Sequence, residues 1–69
     1  MPPDRTTTGP QSSDEIYFEF VPAGAYVRVT AIHARTGTEA TIVGAARAPR
    51  AALEQVALNK LRRILAGAR

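Results

Sequence analysis

The sequence predicts an α+β domain with two layers, in which a three-stranded antiparallel meander of order 1-2-3 carries one C-terminal helix packed on one face. Two observations lead to this fold class. Three runs rich in aromatic and β-branched residues, at about residues 15–21, 25–33 and 38–44, are separated by turn residues. A fourth run, at about residues 49–66, repeats apolar residues at the spacing of a helix.

The chain of 69 residues has room for one domain, assigned to residues 14–69, near the lower size at which a domain buries a sufficient core. Residues 1–13 contain no aliphatic or aromatic residue beyond Met1, so we expect a disordered tail. No stretch resembles a secretory signal or a membrane span, which predicts a cytoplasmic protein without membrane association. Because the chain has no cysteine and one histidine, neither disulfides nor metal sites are expected, and oligomerisation is the remaining means of support.

The first predicted strand, Ile16-Tyr-Phe-Glu-Phe-Val21, alternates with period two, which is typical of a half-buried strand. A proline and a glycine within residues 22–25 then predict a turn. A register that keeps one face of the hairpin apolar also sets Glu19 opposite Arg28 on the other face. This register pairs Phe20 with Val27, Phe18 with Val29 and Ile16 with Ala31.

The second and third strands are joined by a predicted turn over residues 34–37. Pairing Ala31 with Ala40 and Val29 with Ile42 keeps the same face of the sheet apolar as the first hairpin does. The registers predicted for the two hairpins therefore give the same apolar inner face, against which the helix is expected to pack.

The predicted helix begins at Pro49, because proline suits the first helical position, and Gly67 is its expected stop. Its apolar residues recur three and four positions apart and form one stripe. The stripe consists of Leu53, Val56, Ala57, Leu61, Ile64 and Leu65.

The face of the sheet opposite the helix is expected to be unusually apolar for a surface that meets only water. Contiguous exposed apolar patches often mark interfaces, and the first strand is a sheet edge without an inward-pointing charge or an internal proline. The sequence therefore favours a non-catalytic interaction module that forms a homodimer or binds a protein partner through this face or an edge strand. The candidate interaction face consists of Tyr17, Val21, Tyr26, Arg28, Ile32 and Val43.

Nucleic-acid binding is the alternative, because residues 45–69 carry six cationic side chains against Glu54 alone, and aromatic residues on an open sheet can stack on bases. Cations near the end of a helix also complement its dipole, which weakens this interpretation. The candidate contacts with a polyanion are Arg47, Arg50, Lys60, Arg62 and Arg63.

Catalysis finds little support in the sequence, and no catalytic, cofactor-binding or metal-binding residue is predicted. His33 is the only imidazole and has no sequence-local nucleophile. Glu19 and Glu39 are expected to flank Arg28 as surface ion pairs rather than to form an acid–base pair. The run of residues that cradles phosphate in P-loop proteins is absent.

Five short motifs carry a resemblance over residues 15–66, and they are Ile16-Tyr-Phe-Glu-Phe, Tyr26-Val-Arg-Val-Thr-Ala-Ile, Thr36-Gly-Thr-Glu39, Val43-Gly44 and Leu53-Glu-xx-Ala-Leu-x-Lys-Leu61. The chain resembles a family of short uncharacterised bacterial proteins, a resemblance that implies a fold and no activity. A second resemblance, to the double-stranded-RNA-binding domain, rests on the order of three strands and a final helix. That family grips phosphates with lysines where this chain has Arg47-Ala-Pro-Arg-Ala-Ala52, and its first helix has no counterpart here.

Overall fold

The computed structural model of the chain describes residues 15–67. The tail predicted at residues 1–13 lies outside the described residues. The sheet is antiparallel with the strands in chain order, and the helix packs on one of its faces, which confirms the predicted two-layer α+β arrangement. The elements are β1 (Ile16–Ala23), β2 (Tyr26–His33), β3 (Glu39–Ala45) and α1 (Arg50–Gly67).

The register predicted for the first hairpin is wrong by two residues. β1 continues to Ala23, which pairs with Tyr26, so that Gly24 and Ala25 alone make the turn. Gly24 has a φ of 64°, as the first central residue of a type II′ hairpin turn requires. In place of the predicted partners, Phe20 pairs with Val29, Phe18 with Ala31 and Ile16 with His33.

The register predicted for the second hairpin is confirmed. In its turn, the amide of Gly37 donates a hydrogen bond to the carbonyl of His33 at 2.8 Å. Gly37 has a φ of 75°, a conformation that residues with a Cβ rarely adopt. The confirmed pairs are Val29 with Ile42 and Ala31 with Ala40.

The core between α1 and the sheet is small. Three of its seven buried apolar residues are alanines, and Leu61 and Val29 are the largest side chains that are fully buried. The buried residues are Val27, Val29, Ala31, Ala40, Leu53, Ala57 and Leu61. Around them lies a layer of half-buried apolar residues, which are Ile16, Phe18, Phe20, Ile42, Ala48 and Leu65.

The helix lies across β2 and β3 and makes few contacts with β1. A helix that covers two strands buries only a narrow arc of its own surface. The predicted apolar stripe is therefore only partly buried, because Val56 and Ile64 remain 52% and 37% exposed.

Gly44 sets how closely α1 approaches β3. Gly44 lies on the inner face, where Leu53 packs against it, and a Cβ at this position would collide with the Cδ2 atom of Leu53. The absence of a side chain at Gly44 thus allows the helix its close position over the sheet.

Candidate interaction surface

Along one edge of the sheet, backbone groups lack hydrogen-bond partners among the described residues. The amide of Ala34 donates a hydrogen bond to the carbonyl of Glu15 at 3.0 Å, so the odd-numbered residues of β1 exchange hydrogen bonds with β2. The N–H and C=O groups of Ile16, Phe18 and Phe20 therefore point away from the sheet. No hydrogen bond from within residues 15–67 reaches these groups.

The same alternation explains why a proline lies within β1. Pro22 is an even-numbered residue, so its nitrogen points away from β2 and no ladder hydrogen bond is lost. This is the reason that β1 runs two residues beyond its predicted end.

The inner-face side chains of β1 are incompletely covered. Ile16, Phe18 and Phe20 are only half-buried, because α1 lies over the other two strands. The guanidinium carbon of Arg50 lies 3.9 Å from the centroid of the Phe20 ring, over its face, which is the geometry of a cation–π contact. Beyond this contact, no residue between 15 and 67 covers the apolar strip along the edge of β1.

A groove of about 220 Å³ adjoins this strip, between the second half of α1, the start of β1 and the end of β2. Its walls are mainly apolar, and one cationic side chain lies among them. The lining residues are Ile16, His33, Leu58, Leu61, Arg62 and Leu65.

The opposite edge of the sheet, along β3, is partly occupied by the chain itself. The amide of His33 donates to the carbonyl of Thr38, so the odd-numbered residues of β3 point their backbone groups outward. The Nζ atom of Lys60 donates a hydrogen bond to the carbonyl of Thr41 at 2.8 Å. The amide of Ala48 donates to the carbonyl of Ala45 at 3.0 Å. Two of the outward carbonyls of β3 are therefore already occupied.

The outer face of the sheet differs from the prediction in how its charges are placed. Glu19 lies opposite Thr30 rather than opposite Arg28, and Arg28 lies between Val21 and Val43. The ion pairs expected between Arg28 and the glutamates of this face are absent from the described residues. For Glu19 the cause is the two-residue error in the register of the first hairpin. Glu39 pairs with Ile32 in the confirmed second register, four residues along β2 from Arg28.

The centre of the outer face is covered even though none of the elements within residues 15–67 packs on it. Thr30 is only 9% exposed, and its Oγ1 atom lies 3.0 Å from the Oγ1 atom of Thr41. Around this pair the predicted interaction face is largely exposed. Tyr17 is 48% exposed, Val21 42%, Tyr26 59% and Val43 67%, while Arg28 is exposed and Ile32 is half-buried.

The structure does not gather the five candidate polyanion contacts on one surface. Arg50 is occupied by Phe20 and by Glu54, whose Oε2 atom lies 3.8 Å from Arg50 Nε. Lys60 is engaged with β3. Arg62 borders the groove, Arg63 is exposed elsewhere on the helix, and Arg47 is exposed before the helix begins.

His33 is a structural part of the second turn. It is 7% exposed, and its Nδ1 atom lies 2.9 Å from the Oγ1 atom of Thr36. Within residues 15–67, no three His, Cys, Asp or Glu side chains lie close enough together to hold a metal ion. In the same part of the chain, no helix combines the length and the apolar character needed to cross a bilayer.

Sequence reasoning missed the role of Lys60, which it had treated as a polyanion contact. A signal for it does exist, because Lys60 lies four residues from both Val56 and Ile64. A lysine flanked at this spacing by apolar residues lies at the margin of the packed face of a helix, where its amine can reach a neighbouring strand.

One family model, described as a domain of unknown function (DUF6898), matches residues 13–68 of the chain. No curated protein and no solved structure matches the chain. The family match confirms the predicted likeness to a family of short domains without an assigned activity, whereas a bacterial origin stays a prediction.

Proposed function

We propose that this chain, which belongs to the DUF6898 family, is a non-catalytic interaction module that binds another polypeptide strand along the free edge of β1. One observation carries the proposal. The outward backbone groups of Ile16, Phe18 and Phe20 lack hydrogen-bond partners within residues 15–67, and the side chains of the same residues are only half-buried.

Both features favour the addition of a strand. Each backbone hydrogen bond that an added strand makes contributes about 0.5–1.5 kcal/mol net. The side chains of that strand would also cover apolar surface of β1, at about 25 cal/mol per Å² removed from water. Strand addition to a sheet edge uses the two terms together, with the backbone supplying affinity and alternate side chains supplying specificity.

The edge of β1 is favoured over the centre of the outer face as the contact. Thr30 at that centre is already covered, and Arg28 lies there between two valines. Tyr17 and Val21 belong to β1 itself, so a strand added to the edge would also shield these two exposed side chains. Part of the candidate interaction face would therefore belong to the proposed contact.

Nucleic-acid binding is less well supported by the geometry. Two of its five candidate cations are engaged inside the domain, and Glu19 and Glu39 carry negative charge on the outer face. It remains the alternative that an oligonucleotide titration would reveal, through amide shifts in α1 that weaken steeply with added salt.

Amide hydrogen exchange measured by NMR at rising protein concentration tests the proposal. Amides at positions 16, 18 and 20 are expected to exchange rapidly in dilute solution and to become protected as the edge is occupied. Amides at 17, 19 and 21 bond to β2 and are expected to stay protected throughout. They serve as a control within the same strand, since they report that β1 remains folded.

The contradicting result is equally specific. If positions 16, 18 and 20 exchange as freely in concentrated as in dilute solution, and purified binding partners leave them unprotected as well, the edge is not a binding site. Protection that appears at odd and even positions alike would report a change in global stability rather than strand addition.

A further inference from the structure

We infer that the strand added to β1 is β1 of a second copy, antiparallel and centred on Phe18, and that Lys60 of α1 limits the assembly to two chains by occupying the edge of β3. This inference rests on the proposed function, since it names the occupant of the same edge.

The backbone geometry allows few registers. Only the even-numbered residues of β1 present outward groups, so a second β1 must pair even with even. When Phe18 pairs with its own copy, Ile16 pairs with the partner's Phe20, and every outward N–H and C=O of these residues finds a complement. The two-fold axis then stands perpendicular to the sheet, so that the two sheets become one and both helices lie on the same face.

The side chains agree with this register. On the inner face, Phe18 would lie against its copy and Ile16 against the partner's Phe20. On the outer face, Tyr17 would lie opposite the partner's Glu19, so no like charges face each other. Moving the centre to residue 19 would set two copies of Glu19 opposite each other. Moving it to residue 17 would leave Phe20 without a partner among the described residues.

The groove beside Ile16 would receive a side chain of the second copy. The partner's Phe20 would enter from the edge next to Ile16, at the mouth of the groove lined by Leu58 and Leu65. A second copy therefore fills the space that the helix leaves over β1. Such an aromatic side chain in an apolar pocket is a common anchor of protein interfaces.

A second copy also supplies what this core lacks. The core of a domain this small rarely supplies more than about 3–5 kcal/mol of stability, and association adds to it when disulfides and metals are absent. Three alanines are among the seven buried apolar residues, while two phenylalanines lie half-exposed at the edge. Pairing through β1 would bring both phenylalanines of each chain into a shared core.

Growth beyond two chains requires a second open edge. Pairing of β1 with β3 of another copy would be heterologous and would continue without closing. Two of the outward carbonyl groups of β3 are already occupied. Lys60 donates a hydrogen bond to the carbonyl of Thr41, and the amide of Ala48 donates one to the carbonyl of Ala45. Lysines at sheet edges commonly block such pairing.

Disulfide trapping tests the occupant and the register, because the chain has no cysteine of its own. Tyr17→Cys chains mixed with Glu19→Cys chains are expected to form mixed disulfide dimers, since the Cα atoms of such a pair lie about 4.5 Å apart. Either variant alone should cross-link poorly, because diagonal neighbours lie roughly 7–8 Å apart. Light scattering on the unmodified chain should give twice the monomer mass at high concentration.

The other possible results distinguish the register, the second copy and the binding edge from one another. Efficient self-cross-linking of either single variant overturns the Phe18-centred register and leaves the edge as the binding site. A monomeric mass at every concentration, with positions 16, 18 and 20 protected by a different protein, overturns the second copy and leaves the proposed function. A monomeric mass with those amides always unprotected overturns both.

Lys60→Met tests the closure of β3. This variant keeps the length and apolar stem of the side chain but removes the amine, so masses above that of a dimer are expected at high concentration. Arg63→Met, an exposed position on the same helix, should remain dimeric. Combining Lys60→Met with Phe18→Pro should abolish the larger species, because growth beyond a dimer needs pairing at both edges of the sheet, along β1 and along β3. A Lys60→Met chain that is folded and stays dimeric overturns the role given to Lys60.

Discussion

Single residues decide how this small domain closes its two layers, and Val29 and Gly44 show it in different ways. Val29 lies at the centre of β2 with no exposed surface, where a large apolar side chain is needed. Gly44 lies on the neighbouring strand, where an added Cβ would collide with Leu53 Cδ2 and the leucine side chain would have to shift. Substitutions at both positions test the packing of α1 on the sheet. At Val29 the substitution introduces a charge into the core, and at Gly44 it adds a side chain to it.

Replacing Val29 by aspartate should unfold the domain. A buried carboxylate without a partner costs several kcal/mol, a large part of the roughly 5–15 kcal/mol that stabilises a typical domain. Val43→Asp is the matched control, because Val43 is 67% exposed on the outer face. The amide proton spectrum of the first variant should lose its dispersion and that of the second should keep it. Native dispersion in Val29→Asp would show that the faces of the sheet are assigned wrongly.

Gly44→Ala should destabilise the fold by about 1–3 kcal/mol, the usual range for overpacking a core. The added Cβ forces Leu53 out of its position. Urea unfolding should show a lower midpoint with an unchanged slope. Gly67→Ala is the control, because no atom lies near the position of its added Cβ. Equal midpoints for the Gly44 variant and the unmodified chain would contradict the close packing of α1 on β3.

At the scale of elements, β1 is the strand in which alternate residues differ in whether their backbone groups are hydrogen-bonded. Its odd-numbered residues are bonded to β2, and its even-numbered residues offer their backbone groups outward. Substitution by proline distinguishes the two sets, because proline removes a donor without adding charge.

Phe18→Pro should leave the domain folded and prevent association through β1. The lost N–H points outward, so no bond within the sheet is broken. Phe18→Ala is the matched control, since it removes the same ring and keeps the N–H, and it should retain weak association. Tyr17→Pro, which removes an N–H bonded to β2, should unfold the chain. Circular dichroism and light scattering together measure fold and mass. Association of Phe18→Pro equal to that of Phe18→Ala would show that the edge amide plays no part.

The faces of the strands were predictable from the sequence, whereas one register was not. Alternation of apolar residues fixes which side chains face the helix, and the second hairpin follows correctly from it. A shift of two residues leaves every side chain on the same face, so alternation cannot distinguish Phe20 opposite Val27 from Phe20 opposite Val29. The register of the first hairpin depends on two further properties. Pro22 is tolerated because β1 is an edge strand, and Gly24 can begin a two-residue turn.

The role of the helix was predictable only in part, for a related reason. Its apolar periodicity shows that it packs on the sheet, but not across which strands. The position over β2 and β3 is what leaves β1 uncovered and engages Lys60 with β3. Both features of the candidate interaction surface therefore depend on lateral placement, which a one-dimensional pattern does not record. The proposed partner, the cytoplasmic location and the absence of catalysis stay predictions.

For the molecule as a whole, association and folding should be linked. If a second copy completes the core, the midpoint temperature of thermal unfolding must rise with protein concentration, because a partner that binds only the folded state stabilises it by mass action. Measurements at protein concentrations from about 10 µM to about 1 mM would detect dimers whose dissociation constants lie in that range. These constants correspond to roughly 4–7 kcal/mol of binding free energy. The Phe18→Pro chain should show no such rise, since it cannot pair along β1. A midpoint that stays constant for the unmodified chain over the whole series would mean that the small core is sufficient by itself, and the thermodynamic reason for a second copy would be lost.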